Sequence, residues 1–197
     1  MAADRLTHAL GAGLSLPEAG RIGLWGAAAD AVLPPVAPDR LHAVSEWRPD
    51  VDALAARAVM TAPDPVPPYA AVVVTLPRAR DRAEDRVSRA CAAAPGGRIV
   101  LDGAKADGVE AMLKSLRDRV MLDGVVAKAH GKVAWFTASD ALSDWTRPAR
   151  HRNAAGWWVA PGVFSADAPD PGSALLADAL PPLSGTVADL GAGWGYL

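Results

Sequence analysis

This sequence of 197 residues has a single cysteine, no long apolar run and no strong excess of either charge. A single cysteine, Cys91, excludes a disulfide framework and a zinc site built from cysteines. No run of about 18 uncharged apolar residues occurs, which excludes a membrane-spanning helix. Residues 1–13 include Asp4 and no apolar block, so we expect no secretory signal. We therefore expect a protein of the reducing cytoplasm that uses neither a membrane nor a metal ion.

The overall charge and composition limit the function further. A net charge of −2 excludes a globally basic nucleic-acid binder but allows a local basic patch. Hydrophobic residues make up 51% of the chain and charged residues 21%, which is enough for a packed core. Most of the 20 cationic residues are arginines. Arginine favours bidentate phosphate contacts, but codon usage in a GC-rich genome gives the same bias, and the spread of arginines along the chain favours that second explanation.

Short apolar segments alternate with helical patterns over the first 140 residues. The clearest strand is Ala70–Leu76, which is continuous, β-branched and uncharged, as in a buried parallel strand. The same reasoning predicts strands at 21–27, 41–47 and 98–102, and helices at 4–12, 51–60 (with Asp50 as N-cap), 80–94 and 109–120. This alternation predicts an α/β fold with a mostly parallel sheet and right-handed crossovers. Residues 125–136 predict a hairpin that turns at His130-Gly131 and adds an antiparallel edge.

The chain divides into two parts at a polar, proline-containing segment, Asp144–Asn153. We interpret residues 1–146 as a first domain, 147–156 as a linker and 157–197 as the start of a second domain. The last part predicts a helix at 173–180 and a short strand, Thr186–Leu190, followed by a glycine-rich turn. A strand and a glycine turn cannot bury themselves as a domain. We therefore expect this chain to be the front part of a longer protein.

The motif Asp189-Leu-Gly-Ala-Gly-Trp-Gly195 carries the clearest chemical signal. Glycines permit positive φ angles and let backbone N–H groups approach a ligand without an intervening Cβ atom. A following helix would present its N-terminus to an anionic group, and Asp189 could accept hydrogen bonds from a hydroxyl or an amine. A dinucleotide fingerprint would need glycine where Tyr196 stands, and no phosphate-binding Gly-Lys-Ser/Thr follows. A plain glycine-rich turn between a strand and a helix remains the alternative.

This motif resembles motif I of class I S-adenosylmethionine-dependent methyltransferases. Further segments, including Pro161–Ser165, Asp170–Ser173 and Asp102–Lys105, resemble the guanine-N2 methyltransferases of small-subunit ribosomal RNA. Those proteins belong to the methyltransferase small domain family and consist of two similar α/β domains. The resemblance spans about residues 40 to 197, and the combination of segments is more specific than any one of them.

The resemblance implies a fold, a cofactor and a partner. The first domain would be a degenerate Rossmann-like methyltransferase fold that supports the active domain or helps to recognise RNA. The second domain would bind S-adenosylmethionine and methylate guanine N2 of ribosomal RNA. The residues implied in cofactor binding are Asp189, Gly191, Gly193, Gly195 and Phe164. The family's base-binding Asn-Pro-Pro motif is absent from this chain, so we expect no catalytic residue and no methyl transfer by residues 1–197 alone. Because half of the cofactor pocket would lie outside these residues, we also expect no measurable cofactor binding.

An internal comparison supports the duplication. When Arg21–Ala28 is set beside Thr186–Gly193, Leu24 replaces Asp189 and Ala28 replaces Gly193, while Gly26 matches Gly191. The strand at 70–76 ends in Leu-Pro, where a working copy would have Asn-Pro-Pro. Two eroded motif positions favour a scaffold copy over a chance match.

Several further residues have two interpretations each. The basic group Arg147, Arg150, His151 and Arg152 could contact phosphate or could be a solvated linker. The pair Trp157-Trp158 could stack on a base or the cofactor adenine, but could also pack at the domain junction. Phe164 could line the cofactor pocket or belong to a core.

The remaining candidates lie in the first domain. Lys128, His130 and Lys132 share a predicted exposed face and could contact RNA or only keep a sheet edge soluble. Asp102 is interpreted as a turn or capping residue, and neither His8 nor His42 is given a role.

Three function hypotheses follow. The first is the N-terminal part of an S-adenosylmethionine-dependent ribosomal RNA methyltransferase, whose catalytic domain lies mostly outside this chain. The second is a stand-alone, non-enzymatic Rossmann-like module that binds RNA or protein. The third is a fragment of a nucleotide-dependent oxidoreductase, which the glycine spacing disfavours.

Overall fold

The computed structural model describes residues 5–197, and the chain divides into two compact units between Thr146 and Arg147. Asp4, where the predicted opening helix begins, lies outside the described residues. No helix over residues 5–197 is long and apolar enough to cross a membrane. The elements of the first unit are α1 Arg5–Gly11, β1 Ile22–Trp25, β2 Leu41–Val44, α2 Arg48–Ala55, β3 Met60–Ala62, β4 Ala71–Thr75, α3 Arg80–Ala93, β5 Arg98–Ala104, α4 Val109–Arg117, β6 Gly124–Lys128 and β7 Gly131–Thr137.

The strands of the first unit form one seven-stranded sheet in the order β3-β2-β1-β4-β5-β7-β6. The first five strands are parallel, and β7 runs antiparallel to both β5 and β6. The order reverses between β1 and β4, because the chain first builds outward through β2 and β3 and then returns to the other side of β1. The predicted α/β fold, with a mostly parallel sheet and an antiparallel edge hairpin, is confirmed.

Alternate side chains of the central strands pack into two separate cores, one on each face of the sheet. In β4, Val72 and Val74 contribute to the core that also contains side chains of α3 and α4. Ala71 and Val73 point to the opposite core, which contains side chains of α1 and α2. This double burial explains why β4 reads as an uninterrupted apolar segment, since neither of its faces contacts water.

The hairpin β6–β7 turns one residue earlier than the sequence predicted. Ala129 and His130 both have positive φ angles, 47° and 55°, and Gly131 is already paired with Lys128 in the ladder. Two consecutive residues with positive φ are typical of the tight turns whose twist matches that of a hairpin. The sequence prediction placed the turn at His130-Gly131; His130 is in the turn, but Gly131 is in the strand.

The region around α2 departs from the prediction in two ways. The helix begins at Arg48 and ends at Ala55. Ala58 then adopts a φ of 60°, a conformation that does not occur inside an α-helix. The edge strand β3 follows, at residues that the sequence assigned to the end of the helix and a loop. Asp50 is not the N-cap; its carboxylate accepts a hydrogen bond of 2.8 Å from the backbone N–H of Ala29.

The second unit, from Arg147 onward, contains a two-stranded antiparallel hairpin and one helix. The hairpin pairs β8 His151–Arg152 with β9 Trp158–Val159, so the predicted linker at 147–156 includes a strand. The helix α5, Pro171–Ala179, begins two residues before the predicted position. Its N-cap is Asp170, whose carboxylate accepts the backbone N–H of Ser173 at 3.1 Å.

Candidate functional site

The glycine turn of the second unit has the backbone conformation that its sequence predicts. Gly191, Gly193 and Gly195 have φ angles of 90°, 60° and 81°. A Cβ atom at Gly191 or Gly195 would have no other atom within 4 Å. The turn therefore needs glycine for its backbone conformation, and the open space beside it leaves room for a ligand to approach the backbone.

Aromatic side chains gather beside this turn. The ring centroids of Trp157 and Trp194 lie 5.8 Å apart, and Tyr196 lies 5.8 Å from Trp194 and 6.4 Å from Trp157. The indole N–H of Trp194 donates a hydrogen bond of 3.1 Å to the carbonyl oxygen of Phe164. The structure thus brings the Phe164 backbone to the glycine turn, while its side chain is 74% exposed. Trp157 packs on the aromatic residues of the turn, a contact that the sequence did not predict.

The predicted strand Thr186–Leu190 is not formed. No strand among residues 5–197 pairs with this segment, and a β-strand needs a neighbour to satisfy its backbone N–H and C=O groups. Leu190 is 94% exposed, so its side chain is not buried as the prediction required. Asp189 is likewise exposed and is not placed by a sheet.

In the first unit, the segment that corresponds to the glycine turn follows β1, and an arginine side chain closes this edge of the sheet. Gly26 follows β1 with a φ of 74°, and a Cβ atom there would overlap the guanidinium group of Arg86. Arg86 donates a hydrogen bond of 2.7 Å to the carbonyl oxygen of Thr75, at the end of β4. Burial lowers the pKa of this guanidinium to about 10. Arg86 therefore occupies the space beside the glycine that a bound ligand would need.

A small cavity remains at this edge, between the carboxyl ends of β1, β4 and β5. Its volume is about 130 Å³, and its lining includes Leu24, Ala28, Arg5 and Asp102. Small-molecule sites usually begin at about 300 Å³, so the cavity does not fit an adenosyl cofactor. Leu24 and Ala28 are the residues at which the first copy of the glycine motif is eroded.

An ion pair forms part of the wall of this cavity. The Nε atom of Arg5 lies 2.5 Å from a carboxylate oxygen of Asp102, and both side chains are largely buried. Burial raises the pKa of the Asp102 carboxyl, and the hydrogen bond from Arg5 opposes that rise. Asp102 was interpreted as a turn or capping residue, and that interpretation is wrong because Asp102 lies within strand β5 and pairs with Arg5, 97 residues earlier in the chain.

The other candidate residues of the first unit differ in their surroundings. Lys132 pairs with Glu110 at 2.8 Å, whereas Lys128 and His130 are exposed at the hairpin turn. His42 is fully buried, and its Nδ1 atom lies 2.5 Å from the Tyr69 hydroxyl oxygen. Among residues 5–197, no group of His, Cys, Asp or Glu side chains could hold a metal ion.

Comparison with known proteins gives two kinds of match. Residues 156–197, which include the aromatic cluster and the glycine turn, match the model of a family described as the methyltransferase small domain. The solved structure of the 16S rRNA N2 G1207 methyltransferase RsmC from T. thermophilus, in complex with AdoMet and guanosine, is similar with a TM-score of 0.60 and 21% identity. This match covers 83% of the present chain and 49% of RsmC, so the chain spans about half the length of that structure.

A second solved structure, a proposed methyltransferase from Pseudomonas syringae, has a TM-score of 0.54 and 15% identity, over 68% of this chain and 97% of its own. No curated protein matches the sequence. The fold of this chain is thus similar to the α/β fold of these methyltransferase structures, and residues 156–197 match the model of the methyltransferase small domain, the family that the sequence resembles.

Proposed function

We propose that this chain is the N-terminal part of an S-adenosylmethionine-dependent methyltransferase that modifies guanine N2 of small-subunit ribosomal RNA in the cytoplasm. Its first unit is a scaffold copy of the methyltransferase fold, and residues 157–197 open the domain that holds the methyl donor. The observation that carries this proposal is the family match over 156–197, in a segment whose three motif glycines all adopt positive φ angles. Both the motif and its conformation suit a nucleoside ligand.

The residues proposed to hold the cofactor are Asp189, Gly191, Gly193, Gly195 and Phe164. The open glycine backbone can approach the ligand closely, and the Asp189 carboxylate can accept hydrogen bonds from its hydroxyl or amine groups. When bound, S-adenosylmethionine supplies an activated methyl group. These residues bind and orient it, and the acceptor base is positioned by a part of the protein outside this chain.

The closed edge of the first unit supports its role as a scaffold. Arg86 lies beside Gly26, and the cavity of about 130 Å³ leaves no room for a second cofactor molecule. The two related units would then have different roles. The second unit would hold the methyl donor, and the first would support it or contact RNA.

Cofactor binding and methyl transfer test the proposal separately. Calorimetric titration of residues 1–197 with S-adenosylmethionine should give no measurable heat of binding, whereas tight binding would contradict the assignment of an incomplete site. The longer protein encoded by the gene should transfer a labelled methyl group to small-subunit ribosomal RNA, and mass spectrometry of the digested RNA should find N2-methylguanosine. Asp189→Ala should abolish that transfer. A gene that ends at Leu197 would instead favour the non-enzymatic Rossmann-like module.

A further inference from the structure

The hairpin β8–β9 carries two arginines and a tryptophan on one exposed face. Arg152 and Trp158 are directly opposite each other in the ladder, and Arg150 lies two residues before Arg152 on the same side. The guanidinium carbons of Arg150 and Arg152 lie 4.9 Å and 4.8 Å from the centroid of the Trp158 ring. The next residue, Val159, is buried, so the other face of the hairpin packs inward while this one faces solvent.

The loop that joins the two strands is held by the chain's one asparagine. The Asn153 side-chain oxygen accepts the backbone N–H groups of Ala155 and Trp157, at 3.1 Å and 3.0 Å. Its amide nitrogen donates to the carbonyl oxygen of Ala166 at 3.0 Å. The guanidinium group of Arg152 also donates to the Gly156 carbonyl oxygen at 2.6 Å. These bonds fix the hairpin geometry, so the exposed face is organised before any partner binds.

The local sequence supplies no acidic residue to balance the charge of Arg150 and Arg152. Residues 147–158 contain three arginines and no acidic residue. Among residues 5–146, arginines that form ion pairs with carboxylates include Arg5, Arg48, Arg80, Arg89, Arg98 and Arg119. Within residues 5–197, neither Arg150 nor Arg152 has such a partner. Two like charges held beside one ring repel each other, and an anion bound between them would relieve that repulsion.

The chemistry of the face selects the kind of anion. A guanidinium group over an aromatic ring can still donate from its in-plane N–H groups, and those that Arg150 and Arg152 have left beyond the bond to Gly156 match the oxygens of a phosphate group. Trp158 is 50% exposed and offers a surface on which a base can stack. Cationic groups beside an exposed aromatic ring are the combination that binds single-stranded nucleic acid.

We propose that the face formed by Arg150, Arg152 and Trp158 binds the phosphate backbone of a single-stranded RNA segment. The choice of RNA rests on the proposed function, whereas the affinity for a nucleic-acid strand follows from the face itself. This face would hold the substrate RNA at the start of the domain that begins at residue 157, and it assigns the basic linker residues a role in binding.

The test is fluorescence anisotropy of a labelled single-stranded RNA of about 20 nucleotides with the chain 1–197, at salt concentrations from 50 to 200 mM. Arg150→Ala/Arg152→Ala should weaken binding about tenfold at 100 mM salt, because two phosphate contacts are lost. The slope of log affinity against log salt should fall by about 1.4. The control Arg48→Ala/Arg57→Ala removes two exposed charges elsewhere and should leave affinity within twofold.

Two further variants separate binding from folding. Arg150→Lys/Arg152→Lys keeps both charges but loses the planar groups, so it should retain the salt slope and lose several-fold in affinity. Trp158→Ala should weaken binding several-fold with an unchanged salt slope. Circular dichroism melting curves identify any variant that is unfolded.

Equal affinities for the wild type and the double alanine variant would overturn the proposal, as would equal losses in the variant and its control. Polyglutamate serves as a competitor that imitates an acidic protein. If it displaces the labelled RNA as effectively as unlabelled RNA of equal charge does, the face binds an acidic protein partner instead, and the proposal is overturned. Because these measurements use no cofactor, they can succeed or fail independently of the methyl-transfer assay on the longer protein.

Discussion

Replacing Gly26 by alanine tests whether the edge of the first unit is closed by Arg86. The backbone at Gly26 has a φ of 74°, which costs a residue with a Cβ atom about 1–2 kcal/mol. The new Cβ atom would also overlap the Arg86 guanidinium group. Moving that group breaks its hydrogen bond of 2.7 Å to the Thr75 carbonyl oxygen, and hydrogen bonds from charged donors contribute about 1.5–3 kcal/mol. Since the end of an arginine side chain can partly relax, we expect a total loss of about 2–4 kcal/mol.

Gly96 is the matched control for this substitution. Its φ of 68° is nearly the same, but a Cβ atom there would contact nothing within 4 Å. Gly96→Ala should therefore cost only the backbone term, about 1–2 kcal/mol. Urea denaturation followed by circular dichroism gives both free energies of unfolding.

The Arg86→Ala background completes the experiment. Without the guanidinium group, Gly26→Ala should cost no more than Gly96→Ala, because only the backbone term remains. If Gly26→Ala is no more destabilising than Gly96→Ala in the wild-type background, the reasoning that Arg86 fills this edge is refuted.

Two further predictions concern buried titratable groups of the first unit. Burial lowers the pKa of His42 below its ordinary value of 6.5, so the unfolded chain binds more protons than the folded protein below that pH, and stability falls on acidification. His42→Gln should reduce the drop in the urea midpoint between pH 7.5 and pH 5.5; a drop as large as in the wild type would contradict this. Arg5→Ala should cost about 2–3 kcal/mol at pH 7, because it leaves the Asp102 carboxylate largely buried without its partner. The loss should shrink towards pH 4 as Asp102 is protonated, and a pH-independent loss would assign it to packing instead.

The strands of the first unit were predictable where burial on both faces leaves a continuous apolar segment. Ala71–Thr75 is such a case, and the prediction at 70–76 contains it. The edge strand Met60–Ala62 was missed because it is only half covered and only three residues long. Thr186–Leu190 shows the opposite error, since an apolar, β-branched segment forms a strand only when another strand pairs with it.

The closure of the first unit's edge could be inferred only in part. The loss of the acidic residue at Leu24 and of a glycine at Ala28 indicated that no ligand binds there. That Arg86 would fill the space beside Gly26 had no sequence signal, because the two residues are 60 positions apart and arginine on an amphipathic helix usually faces solvent. The pairing of Arg5 with Asp102 was hidden for the same reason.

The amino-acid sequence by itself determined the layered α/β architecture, the antiparallel hairpin and the positive φ angles of the glycine turn, because each depends on local periodicity or on the backbone freedom of particular residues. The tertiary structure alone decided which charged groups are paired and which are free. Arg86 and Arg5 are partly buried in the first unit and bond to residues of other elements, whereas Arg150 and Arg152 are brought beside Trp158 by a hairpin in the predicted linker. Pairing between distant side chains depends on how strands and helices assemble in space, and composition and spacing do not encode it.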